Sequence, residues 1–289
     1  MNKNIYYTIF LLVLFNSSCS SQNINDQQKN INTEVAPTEY NLDDYLKSSS
    51  FLDNRVNEIF SQLNDTSIVA QLLMPAIGKY GQSKKTIDSC ISSGIIGGLL
   101  MLNGTKETFT TWIKEFENIN SSNGNLPFLY SADAEPSLVN RKIIGSQTVK
   151  KANQIISKEE AIQSATTISN DLLSIGINYN FAPVVDFSKN KTVGYRGFGS
   201  KRENLIPWSI EFIKETQSKN IIATAKHFPG HGLVSGDTHQ SLQVIDGALK
   251  EISTYPPLIK SGVLSVMVAH IAVKNNLKYD TKGLPATTS

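Results

Sequence analysis

The sequence predicts an α/β fold and, within that class, a (β/α)8 barrel of the TIM type that is truncated after about six βα units. Short apolar runs alternate with longer amphipathic stretches, which is typical of a parallel sheet covered by helices on both faces. No glycine-rich phosphate-binding fingerprint follows the first apolar run. Polar residues of different types follow four separate runs, and barrel enzymes assemble their sites at such strand ends. A doubly wound open sheet of six strands is the alternative.

Six apolar runs predict the strands, at residues 72–77, 95–101, 127–131, 177–181, 221–225 and 263–269. Apolar residues at helical spacing predict a first helix over 52–63, and Asn64 and Asp65 predict its end and the N-cap of the next helix. The helices expected between the strands cover residues 84–92, 107–120, 159–174 and 204–219. A further helix over 247–260 is interrupted by Pro256 and Pro257.

The N-terminus has the pattern of an export signal. Lys3 precedes an apolar run over 5–15, which is too short to span a bilayer and typical of a signal-peptide core. Small residues before Cys19 and polar ones after it resemble a bacterial lipoprotein cleavage site, so residues 1–19 are predicted to be a signal peptide with lipidation at Cys19. A plain secretory signal cut nearby is the alternative. We therefore expect an exported bacterial protein, periplasmic or anchored to the outer membrane through its lipid.

Residues 20–41 are rich in Asn, Gln, Ser and Thr and lack apolar periodicity, which predicts a disordered polar tether ahead of a barrel domain over 42–289. The formal charge of +2 is spread without a basic stripe, so a nucleic-acid partner is not expected. With Cys19 lipidated, Cys90 is the remaining cysteine, and a disulfide framework is excluded.

Three of the four histidines fall within thirteen positions, in the segment KHFPGHG over 226–232 and at His239. Pro229 and the glycines oppose a helix here, so the segment is expected to form a shaped loop leaving a strand. His227, His231 and His239 could ligate a metal, but the His-x-x-x-His spacing serves a metal best on a helix. No metal or cofactor is therefore predicted, and His231 is expected to hydrogen-bond backbone in a tight loop.

The segment KHFPGHG followed by Asp237-x-His239 resembles the signature of glycoside hydrolase family 3, in the β-N-acetylglucosaminidase branch of its N-terminal domain. Residues 180–186 and 195–199 are similar to the family's fourth-strand motif and the arginine loop after it. Residues 131–135 resemble its third-strand aspartate motif. The resemblance covers about residues 65–285 of the chain.

The resemblance implies a sugar-binding pocket with a general acid/base beside it. The implied substrate-binding residues are Asp133 as an acceptor of sugar hydroxyls, and Arg141, Arg196, Lys226 and His227 as donors. His239 would be the general acid/base, with Asp237 holding its ring. A histidine suits this task because it titrates near neutrality and a carboxylate partner can set its tautomer. The alternative for this pair is a brace of the loop.

The chain also departs from the family pattern. Pro136 and Ser137 replace paired glycines of many relatives, and residues 142–158 have no clear counterpart. The family's nucleophile is an aspartate at the end of a seventh strand, which is expected beyond residues 285–289. Asp280, in the loop after the sixth strand, is not expected to replace it.

The expected function is retaining hydrolysis of terminal β-linked N-acetylglucosamine in peptidoglycan or chitin-type glycans. Residues 1–289 alone are expected to have no appreciable activity because the nucleophile region is missing from them. A non-catalytic remnant that binds sugar weakly is the alternative. A solute-binding protein is disfavoured because two comparable lobes and a hinge are not evident.

Overall fold

A computed structural model describes residues 40–187 and 190–289 of the chain. The predictions for the signal peptide, for Cys19 and for residues 20–39 of the tether lie outside this part. The first described element is a 3-10 turn over Leu42–Leu46, and the Asn41 side chain caps it by accepting the backbone N–H of Asp43. No helix within the described ranges combines the length and apolarity needed to cross a bilayer.

One parallel sheet of six strands forms the centre of the fold. Its strands are β1 Ala76–Ile77, β2 Gly98–Met101, β3 Leu129–Ala132, β4 Tyr179–Asn180, β5 Ile222–Phe228 and β6 Ser265–Val268. Each strand pairs in parallel with the one before it in the chain. A doubly wound sheet reverses its strand order at a switch point, whereas a barrel adds strands in chain order. The predicted α/β class and barrel order are confirmed, and the open-sheet alternative was wrong.

Eight helices accompany the described strands: α1 Ser50–Gln62, α2 Asp65–Ala70, α3 Lys84–Ser92, α4 Lys106–Ser122, α5 Val139–Lys142, α6 Lys158–Ile175, α7 Arg202–Ser218 and α8 Tyr255–Lys260. The five helices predicted over 52–219 are present, with ends displaced by at most two residues. The side chains of Ser49, Asn64, Ser83, Thr105 and Ser157 cap helix starts by accepting a backbone N–H. These polar caps explain why the starts of these helices could be predicted from the sequence.

Two predicted elements differ most from the structure, while other strands are displaced by up to three residues at an end. The first strand covers only Ala76–Ile77 because Leu72 and Leu73 stay in helical turns, with their backbone N–H groups bonded to the carbonyls of Val69 and Ala70. The helix predicted over 247–260 is replaced by a 3-10 turn over Lys250–Thr254 followed by α8. Pro256 and Pro257 begin α8 rather than interrupt a helix, because a first turn does not need their missing N–H groups.

Two short parallel pairs lie outside the main sheet, and the sequence pattern did not predict them. Residues Gln243–Asp246 pair with Ile271–Lys274, and Gly104–Thr105 pair with Ile143–Ile144. One strand of the first pair, Gln243–Asp246, follows the histidine segment, and one strand of the second, Ile143–Ile144, lies directly after α5. Both therefore fix chain segments that flank the strand ends.

The apolar core lies between the sheet and its covering helices. Phe109 and Phe116 of α4, Leu172 of α6 and Phe212 of α7 are fully buried, and they belong to one cluster with Leu99 of β2. The helices therefore bury their apolar faces against the sheet, and the polar residues gather where the strands end.

We expect Phe116→Ala to lower the free energy of unfolding by about 3–5 kcal/mol, because it leaves a cavity in this core. Phe60→Ala, at a side chain of α1 that is 55% exposed, should change it by only about 0.5 kcal/mol. Urea unfolding followed by circular dichroism measures both. Similar losses in the two variants would contradict the position of the core.

Candidate active site

A cavity of about 670 Å³ opens at the carboxyl ends of the strands. All seven catalytic and substrate-binding residues implied by the sequence line it: Asp133, Arg141, Arg196, Lys226, His227, Asp237 and His239. They come from four separate segments of the chain. Asp280 instead lies in another cavity, of about 640 Å³, where its carboxylate accepts backbone N–H groups of its own turn.

Lys226 and His227 lie within β5, although the sequence placed them just after the strand. Successive residues of a regular strand point to opposite faces. The register of β5 on β6 shifts between Lys226 and Phe228, so His227 forms a bulge. Bulges redirect side chains, and this one lets both Lys226 and His227 line the cavity.

The floor of the cavity is a network of buried charges. The Lys226 ammonium lies 3.0 Å from Asp133 Oδ1 and 2.9 Å from Glu135 Oε2. Arg196 donates from Nε and Nη2 to the two oxygens of Glu135, at 2.6 and 2.9 Å. Lys226 is 1% exposed and Glu135 is fully buried. Glu135 was not assigned a role from sequence, and its only signal was its position two residues after Asp133.

Cations hold both carboxylates of this network in their charged form. Burial alone would raise the pKa of Asp133, but the neighbouring Lys226 and Lys142 outweigh it and keep the pKa well below its usual range. Burial acts in the same way on Glu135, and Lys226 and Arg196 together hold its pKa below the ordinary value. Asp133 can therefore accept hydrogen bonds from hydroxyl groups at neutral pH.

Asp186 orients the ring of His227. Its Oδ2 lies 2.7 Å from His227 Nδ1, and its Oδ1 accepts the backbone N–H of His231 at 2.8 Å. Burial would raise the pKa of Asp186, but His227 and the hydrogen bonds lower it overall. A carboxylate can only accept, so Nδ1 of His227 carries the proton and Nε2 is the free nitrogen. Asp186 ends the fourth-strand motif over 180–186 in the sequence, and that motif did not imply this role for it.

His239 and Asp237 form a separate pair at the rim of the cavity. His239 Nδ1 lies 2.7 Å from Asp237 Oδ1, and the backbone N–H of His239 donates to the same oxygen at 2.9 Å. The backbone and ring hydrogen bonds from His239 hold the pKa of Asp237 below its ordinary value. The His239 side chain is 82% exposed. A charged Asp237 therefore fixes a ring that stays accessible from solvent.

The histidines do not form a metal site. The ring Nε2 of His231 lies 3.1 Å from the Thr238 hydroxyl, while His227 and His239 each bond a different aspartate. Within the described ranges, no group of three His, Cys, Asp or Glu side chains is arranged to hold a metal ion. His231 was expected to hydrogen-bond backbone, and for its ring this is wrong. The ring instead bonds the side chain of Thr238, the residue before His239.

The departures from the family pattern lie beside the cavity. Ser137 Oγ donates to the carbonyl of Tyr195 at 2.7 Å and accepts the N–H of Ala152 at 2.9 Å. It thereby ties the loop after β3 to the loop that carries Arg196. Arg141 is exposed at the rim, whereas Lys142 lies 3.2 Å from Asp133 Oδ2. Lys142 was not assigned a role from sequence, and its only signal was its place next to Arg141.

One known protein family has a profile that matches most of the chain. The profile described as "Glycosyl hydrolase family 3 N terminal domain" matches residues 66–289. The chain belongs to glycoside hydrolase family 3. The family predicted from the histidine segment is therefore confirmed.

Two similar proteins are named as a hexosaminidase and as a glucosaminidase that is also a glucosidase. The chain is 26% identical to "Beta-hexosaminidase LpqI" of Mycobacterium tuberculosis over 218 residues, which cover 71% of this chain and 54% of that protein. It is 28% identical over 193 residues to the "Beta-N-acetylglucosaminidase/beta-glucosidase" of Cellulomonas fimi, which cover 61% of this chain and 32% of the relative. The chain thus spans about a third to a half of the length of these relatives.

Solved structures show the same fold. The family 3 β-N-acetylglucosaminidase of Paenibacillus sp. str. FPU-7 is 28% identical and superposes with a TM-score of 0.70, over 78% of this chain and 45% of that one. The β-N-acetylhexosaminidase of Beutenbergia cavernae, at 20% identity, superposes with a TM-score of 0.69 over 79% of this chain and 72% of that one. The barrel class predicted from sequence is confirmed by both.

The buried carboxylates predict how stability depends on pH. A carboxyl whose pKa is lower in the folded state contributes stability above its unfolded pKa and loses it as the pH falls toward the folded value. For Glu135, with an ordinary value of 4.5, the loss should begin below about pH 5. Glu135→Gln should cost about 3–5 kcal/mol at pH 7, since it breaks a buried ion pair.

The same variant should show a shallower fall of the unfolding free energy between about pH 5 and pH 3. Urea unfolding at a series of pH values measures this slope. Glu107→Gln, at an exposed position of α4, controls for the loss of one carboxylate from the surface. An unchanged slope in Glu135→Gln would show that Glu135 is not held ionised in the native protein.

Proposed function

We propose that this site belongs to a β-N-acetylglucosaminidase that removes terminal β-linked N-acetylglucosamine from peptidoglycan or chitin-type glycans with retention. The observation that carries the proposal is the His239–Asp237 pair at the rim of a cavity whose floor holds Asp133, Arg196 and Lys226. The names of the relatives support the same substrate class.

The floor of the cavity is suited to a sugar. Asp133 is an acceptor for hydroxyls, and Lys226 and Arg196 place donors around it. His227, with its Nδ1 proton on Asp186, presents Nε2 as a further acceptor. A cavity of about 670 Å³ lies within the usual range of small-molecule sites. Because charged side chains close its floor, the cavity is suited to the end of a glycan rather than to its middle.

The rim pair is suited to proton transfer. Retaining hydrolysis needs a group that protonates the leaving oxygen and then removes a proton from water. His239 is exposed, so its ring can reach a leaving group that extends out of the cavity, and Asp237 fixes its tautomer. The resemblance assigns the nucleophile to an aspartate at the end of a seventh strand, and we assign it to none of the six described strands.

We also propose that the protein is exported from the cytoplasm. The apolar run over 5–15 and the residues around Cys19 support a lipoprotein signal, and a polar tether over 20–41 would carry the domain away from the membrane. An extracytoplasmic location gives the site access to cell-wall glycans.

The first test is binding. The protein should bind N-acetylglucosamine in a saturable manner and at least about tenfold more tightly than glucose, because the acetamido group gains hydrogen bonds to charged donors. Isothermal titration calorimetry with both sugars measures the ratio. Arg202→Met, at an exposed position of α7, should bind like the wild type. Equal affinity for the two sugars, or no binding, would contradict the proposal.

The second test concerns the rim pair and uses the full natural chain. His239→Ala should slow hydrolysis of glycosides with poor leaving groups by about 100-fold or more, and slow dinitrophenyl glycosides far less, because these need little protonation. Asp237→Asn should lower kcat with little change in KM. A loss in both variants that is independent of the leaving group would make the pair a loop brace. Binding without turnover in the wild type would favour the sugar-binding alternative.

A further inference from the structure

We propose that Lys142, and not its neighbour Arg141, is the cation of α5 that holds the sugar together with Asp133. This inference rests on the proposed function, because it assigns a residue to the same sugar site. The resemblance implied Arg141 for that role and gave Lys142 none.

The geometry of α5 separates the two neighbours. Consecutive residues of a helix point about 100° apart, so Arg141 and Lys142 enter the cavity in different directions although both line it. Lys142 faces Asp133, with Nζ 3.2 Å from Oδ2 and a side chain that is only 17% exposed. Arg141 is exposed at the rim and forms no ion pair with any residue of the described ranges. The short helix therefore presents the lysine to the cavity floor.

Buried neighbours fix the rotation of α5. Val139 is 1% exposed, and Lys142 lies three residues after it on the same face of the helix. Ile143, also 1% exposed, anchors the other end. On the outer face, Asn140 Nδ2 donates to the carbonyl of Gln147 at 2.7 Å. Turning the helix to bring Arg141 inward would expose Val139 and break this hydrogen bond.

The two lysines at Asp133 differ in what they can still donate. Lys226 is 1% exposed, and its ammonium already contacts both Asp133 and Glu135. An ammonium has three N–H groups, and Lys142 uses one of them on Asp133. Lys142 therefore keeps two donors for sugar oxygens, while Lys226 fixes the carboxylate. The second lone pair on each Asp133 oxygen stays available for a sugar hydroxyl.

Calorimetric titration with N-acetylglucosamine tests the inference. Lys142→Met should weaken binding by about tenfold or more, the usual effect of a lost hydrogen bond from a charged donor. Arg141→Met should weaken it by less than about threefold. Lys85→Met, on the exposed face of α3, controls for the loss of one positive charge. A larger loss in Arg141→Met than in Lys142→Met would overturn the inference.

A double-mutant cycle on urea unfolding tests the position of Lys142 without any sugar. The losses caused by Asp133→Asn and Lys142→Met should be non-additive, with the double variant losing less than the two singles together. The cycle of Asp133→Asn with Arg141→Met should be additive. Coupling to Arg141 instead of Lys142 would overturn the inference.

The two measurements also separate this inference from the proposed function. Wild-type binding that Lys142→Met leaves intact overturns the inference alone. No binding by the wild type, with Asp133 and Lys142 still coupled, overturns the proposed function and with it the sugar-holding role of Lys142.

Discussion

A buried glutamate determines how the strand ends of this barrel meet. Glu135 is fully buried, and an isolated charge in that position would be very costly. Arg196 pairs with both of its oxygens, and Lys226 approaches one of them at 2.9 Å. The loop after β3, the loop after β4 and strand β5 therefore converge on one carboxylate. The same lysine also pairs with Asp133 and holds it in position. The cations that balance the charge of Glu135 therefore determine the floor of the cavity.

The rim of the cavity is held differently from the floor. His239 is fixed by Asp237 and by its own backbone, within two residues of the chain, while Thr238 is joined to the buried His231. Glu251 strengthens the base of this segment, because its two oxygens accept the N–H groups of Phe187 and Gly232. A rigid floor suits the binding of one sugar. Under the proposed function, a ring carried on an exposed loop suits proton transfer to leaving groups of differing size.

The periodicity of the sequence predicted the six strands and five of the helices because each has a local apolar pattern and most helix starts have a polar cap. The extent of β1 was wrong because helical turns continue past α2 through Leu73, which apolarity alone does not reveal. The seven candidate site residues could be predicted from the sequence through a family resemblance. The contacts of Glu135 and Lys142 could not. Those of Glu135 join segments that lie far apart in the sequence. The contact of Lys142 with Asp133 depends on the rotation of α5. Lys226 and Glu135, for example, are joined only after folding.

Pro136 and Ser137, which replace the paired glycines of many relatives, help to fix the rotation of α5. The helix starts directly after them, with the N–H groups of Leu138 and Val139 both bonded to the carbonyl of Glu135. Ser137 is held on two sides, by Tyr195 and by Ala152. A paired glycine could make neither side-chain hydrogen bond and would leave the start of the helix free to vary. Because the chain enters α5 from a fixed residue, the helix face that meets Asp133 is fixed as well, and that face carries Lys142.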